Sequence, residues 1–144
     1  MKKSQLALVV AVAAGIGAMT LAGDDAPAKG KPTVKPLSTI DISEKVDGKK
    51  SKATTVEVTL EPGQASTPHR HPGPVFGYVL EGEYEWAIND NPAKTLKAGD
   101  TFYEPTGCLH RVSRNAGKTK TRVLAVLLVP HDTKELSIPE KPAK

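Results

Sequence analysis

Short β-branched runs, each cut off by Gly or Pro, constrain this chain more than any other feature. Thr54-Thr55-Val56-Glu57-Val58-Thr59-Leu60 and the run from Val123 to Val129 favour extended backbone. Twelve Gly and twelve Pro in 144 residues interrupt such runs before an amphipathic helix could complete several turns. The pattern predicts strands over Leu37 to Val46, Ala53 to Leu60, Phe76 to Leu80 and Glu83 to Asn89. Further strands are expected over Lys94 to Lys97, Thr101 to Glu104, Leu109 to Arg114 and Thr121 to Val129. Strands so short and evenly spaced, with no helix between them, imply one all-β domain built as a barrel or sandwich. Residues 37–130 are that barrel.

The ends read differently. Lys2 and Lys3 precede an uncharged apolar run from Leu6 to Leu21, and Thr20-Leu21-Ala22 places small residues where a signal peptidase cuts. Residues 1–22 are therefore expected to be a signal peptide, which places the mature protein in the periplasm or outside the cell. A retained membrane anchor is the alternative, disfavoured because Gly15, Gly17 and several Ala make the run weakly hydrophobic. Residues 23–36 (GDDAPAKGKPTVKP) are polar and Pro-rich, expected as a disordered leader. Residues 131–144, with Pro139 and Pro142, are expected as a surface tail.

Charge excludes one class of partner. The net charge of +4 falls to +2 without Lys2 and Lys3, and many lysines lie in the leader and tail. Aromatic residues make up 4% of the chain and do not alternate with basic ones, so there is no stacking platform for nucleic acid. No membrane contact is expected once the signal is removed. The lone Cys108 cannot form an internal disulfide.

Three of the four histidines sit beside turns in the strand pattern. His69 and His71 are two apart, which on an extended strand sends both imidazoles to one face. His110 directly follows the Pro105-Thr106-Gly107 turn, from which a neighbouring strand could bring it to the same cavity. Neutral imidazoles suit a divalent transition metal, and a three-histidine site keeps coordination positions open. A pair of surface histidines is the alternative for His69 and His71 taken alone.

The flanking residues add to this. Gly63-x5-His69-Arg70-His71-x3-Val75-x6-Gly82 resembles the first motif of the cupin family, G-x5-H-x-H-x3,4-E-x6-G. Gly99-x5-Pro105-Thr106-Gly107-x2-His110 resembles its second, G-x5-P-x-G-x2-H-x3-N. The resemblance spans roughly Val56 to Val129. It implies a jelly-roll β-barrel holding one metal through His69, His71 and His110, and a homodimer. Two positions depart from the pattern. Val75 stands where the family has a ligating Glu, and the final Asn would fall at Arg114, with Asn115 one residue late.

Without that Glu the site is neutral, suited to Zn or Cu, with Fe, Ni or Mn also admissible. Glu104 is the candidate replacement. It shares a strand face with Phe102 and, if that face is inward, would serve as fourth ligand or as a general base raised by burial. The other reading is a strand-end carboxylate in solvent. Tyr78 and Arg70 are expected to point outward, and Trp86 to be a core or interface aromatic. His131 is read as a tail residue, and Cys108 as a small buried hydrophobe rather than a thiolate ligand. Arg111 and Arg114 are read as solvated, with steering of an anionic ligand as the alternative.

Fold alone does not define function in so varied a family. The first expectation is an exported metal-dependent enzyme acting on a small molecule, of oxygenase, isomerase or lyase type. The alternative is a non-catalytic periplasmic barrel that holds a metal or small ligand, an option favoured by the missing Glu.

Overall fold

The structure, a computed structural model, describes residues 30–141. The expected signal peptide lies outside the described residues. Ten strands are present among those described: β1 Thr33–Val46, β2 Lys49–Leu60, β3 His69–Arg70, β4 Val75–Glu81, β5 Glu83–Ile88, β6 Lys94–Lys97, β7 Thr101–Glu104, β8 Leu109–Arg114, β9 Thr121–Pro130 and β10 Ile138–Pro139. They form two five-stranded sheets, ordered β1-β2-β9-β4-β7 and β10-β3-β8-β5-β6. Neighbouring strands pair antiparallel throughout both sheets.

The pattern that predicted the strands also sorts their faces. Along β9, Val123, Ala125, Leu127 and Val129 are buried and alternate with half-buried Leu124, Val126 and Leu128. On β4 the same period of two buries Val75, Gly77 and Val79 and exposes Phe76 and Tyr78. The inward residues form two clusters, one around Val56, Val75 and Leu127, the other around Leu60, Val79, Tyr84 and Val123. Each fully buried side chain of this kind contributes about 1.5–3 kcal/mol, which offsets the polar groups enclosed between the sheets. The outer face of β4 and β7 is also apolar, with Phe76, Tyr78, Leu80 and Tyr103 exposed.

The two ends differ from the sequence reading. β1 starts at Thr33, not Leu37, because β2 is long enough to pair Thr33–Pro36 with Val56–Thr59. Pro36 is tolerated there since β1 is the outermost strand of its sheet, and a bulge follows between Pro36 and Ser38. The expected tail also returns to the fold as β10. β3 and β10 escaped the sequence reading because two residues carry no alternation, and Pro68 and Pro72 flank β3.

Two turns depend on backbone that L side chains rarely adopt. Asp47 (φ 51°) and Gly48 (φ 74°) make the two-residue turn of the β1–β2 hairpin, both left-handed as this turn requires. Gly82 (φ 76°) separates β4 from β5, and a Cβ there would lie 2.4 Å from the Lys120 carbonyl oxygen. This explains the second Gly of the first motif.

The late Asn also has a structural cause. Ala87 pairs with Val112 but Ile88 pairs with His110, so β8 carries one extra residue, Arg111. Simple alternation from His110 would turn Arg114 inward. The bulge shifts the parity, so that His110, Ser113 and Asn115 are buried and Arg111 and Arg114 exposed. Asn115, 1% exposed, donates from Nδ2 to the carbonyls of Leu60 (3.0 Å) and Thr119 (2.7 Å) and accepts from the Gly117 amide (2.9 Å). Replacing it with apolar Leu leaves those partners unsatisfied. Asn115→Leu should therefore lose about 2–4 kcal/mol in urea unfolding, and a loss below about 1 kcal/mol would contradict this structural role.

Candidate metal centre

Strand pairing assembles the centre. β3 lies against β8 with His69 directly opposite His110. His71 follows immediately after β3, between Arg70 and Pro72. The three ring systems converge, with centroids 4.8 Å (His69–His71), 4.9 Å (His69–His110) and 6.1 Å (His71–His110) apart. One ligand atom from each lies within 4.8 Å of the others.

Backbone carbonyls fix the rings. His69 Nδ1 lies 2.8 Å from the Thr67 oxygen and His71 Nδ1 2.6 Å from the Leu136 oxygen. A carbonyl only accepts, so both Nδ1 atoms carry the proton and both Nε2 atoms present a lone pair. Those Nε2 atoms face each other at 3.2 Å. On the third histidine, Nε2 lies 3.3 Å from the Tyr84 hydroxyl, which itself donates to Ser113 Oγ at 2.9 Å. The Tyr84 oxygen is therefore the acceptor for a His110 Nε2 proton, leaving His110 Nδ1 as a further lone pair. Ser113 in turn donates to Ser66 Oγ at 3.4 Å.

Glu104 is inward, as one of the two sequence readings required, and is 1% exposed. Its register partner on β4 is Val75, the very position where the family carries Glu. Glu104 thus delivers a carboxylate from the adjoining strand to the region that position would serve. Its Oε1 accepts from Trp86 Nε1 at 2.9 Å and lies 3.2 Å from His110 Nδ1. Its Oε2 lies 3.4 Å from His71 Nε2. Glu104 Oε2 and His110 Nδ1 are buried with no hydrogen-bond partner. Buried acceptors that face one another unpaired are costly, and a cation among them satisfies all of them. The residues therefore fit a divalent transition metal, which nitrogen from the three histidines would hold and to which Glu104 could add an oxygen.

The centre lines a cavity of about 310 Å³ whose walls include Val56, Val58, Val75, Phe102, Val123 and Leu127. Trp86 and Tyr84 were not legible as site residues, since an inward aromatic on a strand reads as core. The remaining candidates lie elsewhere. Arg70, Tyr78, Arg111, Arg114 and His131 point away from the cavity lining. Arg111 clamps the β5–β6 loop through the carbonyls of Asn89 and Asn91, both at 2.8 Å. Arg114 pairs with Glu85 at 2.7 Å, so neither arginine is placed to steer a ligand into this cavity. Cys108 is a buried free thiol whose pKa burial pushes up, outside the converging group.

Comparison with known proteins agrees with this construction. Residues 56–127, half of the chain, match the cupin domain family, and the chain belongs to that family. Its fold is shared by an uncharacterized conserved protein with a double-stranded β-helix domain from Klebsiella pneumoniae. That match has a TM-score of 0.59 and 23% identity over 81% of this chain and 90% of the other. The DMSP lyase DddQ from Ruegeria pomeroyi aligns with a TM-score of 0.60 and 21% identity, over 79% of this chain and 54% of the lyase. An oxalate oxidase aligns with a TM-score of 0.58 and 22% identity, over 84% of this chain and 67% of the oxidase. At these identities the likeness is one of fold. No curated protein sequence matches the chain.

Burial neutralises the metal-free centre. It raises the Glu104 carboxyl to about 7 and, with help from the neighbouring His69 and His71, lowers His110 to about 3. For the carboxyl, the folded value lies above the unfolded 4.5, so its contribution is intact below pH 4.5 and lost as pH rises through 7. For His110 the sign is opposite: its contribution is intact above 6.5 and lost as pH falls towards 3. Metal-free Glu104→Gln should therefore be more stable than metal-free wild type at pH 8, by at most about 3 kcal/mol, and nearly equal at pH 4.5. Denaturation in chelator at the two pH values checks this. An equal difference at both would refute a buried, burdened carboxyl.

Proposed function

We propose that this cupin is an exported, metal-dependent enzyme that transforms a small molecule at the His69–His71–His110 centre. One observation carries the reading: three imidazole lone pairs and the unpartnered Oε2 of Glu104 converge in the lining of one largely apolar cavity. When bound, the metal would supply Lewis-acid polarisation at its open positions. The chain's own residues supply the rest. The apolar walls exclude water from the ligand's body, and the chain of hydroxyls from Tyr84 through Ser113 to Ser66 holds the outer edge of His110.

The same cavity bears on substrate class. Apart from the histidines, its charged lining residues are Glu104 and Lys31, while most of the wall is apolar. A substrate with one polar group for the metal and an apolar remainder fits it. A wholly polar molecule such as oxalate would leave the wall uncovered, so a lyase-like reaction on a mixed small molecule is favoured over oxalate oxidation. The non-catalytic alternative rested on a lost carboxylate, and Glu104 restores one.

Elemental analysis of protein purified without a chelating tag should give about one transition metal per chain, absent from His71→Ala. Glu104→Val should bind metal at least tenfold more weakly, and adding Val75→Glu should recover most of that loss. Metal retained in Glu104→Val with turnover abolished would instead assign Glu104 to proton transfer. No metal in wild type after reconstitution would end the enzyme reading.

A homodimer belongs to the same proposal, supported by the exposed apolar face of Phe76, Tyr78, Leu80 and Tyr103. Sedimentation should give a two-chain species that Tyr78→Lys dissociates. A monomeric wild type would remove this part alone.

A further inference from the structure

His69 and His71 are held in different ways. His69 is bonded to a carbonyl two residues away, within its own turn. His71 is bonded to Leu136, sixty-five residues along the chain, in the segment after β9. β3 ends at Arg70, and the backbone of His71 is held by the Gly107 amide, which donates to its carbonyl at 3.0 Å. The bond of its Nδ1 to Leu136 is what orients the ring.

That segment is fastened at several points. The His131 amide donates to the Lys50 carbonyl at 2.9 Å, and Lys52 Nζ to the Thr133 carbonyl at 2.8 Å. Leu136 packs against the Val56–Leu127 cluster. Ile138 and Pro139 pair with Arg70 and His69, and the Glu140 amide donates to the Pro68 carbonyl at 2.9 Å. Glu140 then receives Arg70 Nε at 2.8 Å and Nη2 at 3.1 Å, while Nη1 of the same arginine donates to the Gly107 carbonyl at 2.8 Å. Arg70, between the two histidines but on the opposite face, thereby ties the C-terminal segment to the turn that precedes His110.

We propose that the segment from His131 to Lys141 is a strap that presets His71 for metal, with the Leu136 carbonyl as the positioning group and Arg70–Glu140 as its clasp. The strap also contributes Leu136, Ser137 and Pro139 to the cavity lining. The physical basis is that a metal-binding imidazole works best when its other nitrogen is held in one tautomer by an outer acceptor. Here that acceptor lies on a peripheral segment whose clasp is exposed, so its release costs one sheet only the two-residue edge strand β10.

The inference rests on the histidines being a metal site, and its test separates the two. Ring ¹⁵N spectra of the metal-free chain at pH 8 read the tautomer of each histidine without any metal. In Glu140→Ala, and more so in Glu140→Lys, which sets two cations face to face, His71 should shift from a single tautomer to a mixture. His69, held locally, should not change. Cobalt affinity should fall about 10–100-fold in Glu140→Lys and in a chain ending at Pro130, with an intermediate loss in Glu140→Ala. If the truncated chain does not fold, the two point variants carry the test. An unchanged His71 tautomer in Glu140→Lys overturns the strap, whatever the metal result. A lowered melting temperature with unchanged tautomer and affinity also overturns it, since that is what a merely structural tail would give. Wild type that binds no cobalt refutes the metal reading, and the tautomer readout still decides the strap.

Discussion

Four acceptors aimed at one buried point repel each other, and much of the structure consists of what holds them there. Two Nε2 lone pairs at 3.2 Å, an orphaned His110 Nδ1 and an orphaned Glu104 Oε2 form an arrangement that water would relax and that two packed sheets do not release. Each donor is locked from behind: His69 by Thr67, His71 by Leu136, His110 by Tyr84 and Glu104 by the Trp86 indole. The locks come from different parts of the chain, so no local melting frees all four. Burial of these groups pushes the carboxyl up to about 7 and, with His69 and His71 nearby, His110 down to about 3.

Much of this was legible in the sequence, and the exceptions share a cause. The eight longer strands, the inward histidines and the punctuation between them follow from a period of two and from Gly and Pro, both properties of adjacent residues. What escaped depends on cross-strand register. On its own strand Glu104 fits either cavity or solvent. Its pairing with Val75 decides the matter, and pairing is not written in either strand alone. The same holds for β3 and β10, too short for periodicity, and for the last residues, which looked like a tail until their pairing with His69 and Arg70 was seen.

The Arg111 bulge shows how a motif can be kept while its spacing changes. An added residue in a strand should invert the face of everything after it. In β8 this inversion is what is seen: His110 faces inward, Arg114 turns out, and the buried amide is that of Asn115. Both departures from the family pattern therefore have one explanation. The chemistry required at a point in space is retained, and the residue that supplies it has moved, by one position along β8 or by one strand across the sheet.

That transposition changes more than the address of a carboxylate. A Glu on β4 would share its strand with Gly77 and Val79, whereas Glu104 shares β7 with Phe102 and borders the Pro105-Thr106-Gly107 turn that leads to His110. Its Oε1 is engaged by Trp86, which leaves Oε2 alone facing His71. Such a carboxylate sets Oε1 beside His110 and Oε2 beside His71. It also leaves Val75 as apolar wall at the place where a family Glu would have made the cavity polar. The exchange keeps a carboxylate beside the three histidines and extends the hydrophobic lining toward them, so polar groups in the cavity wall are concentrated around that cluster.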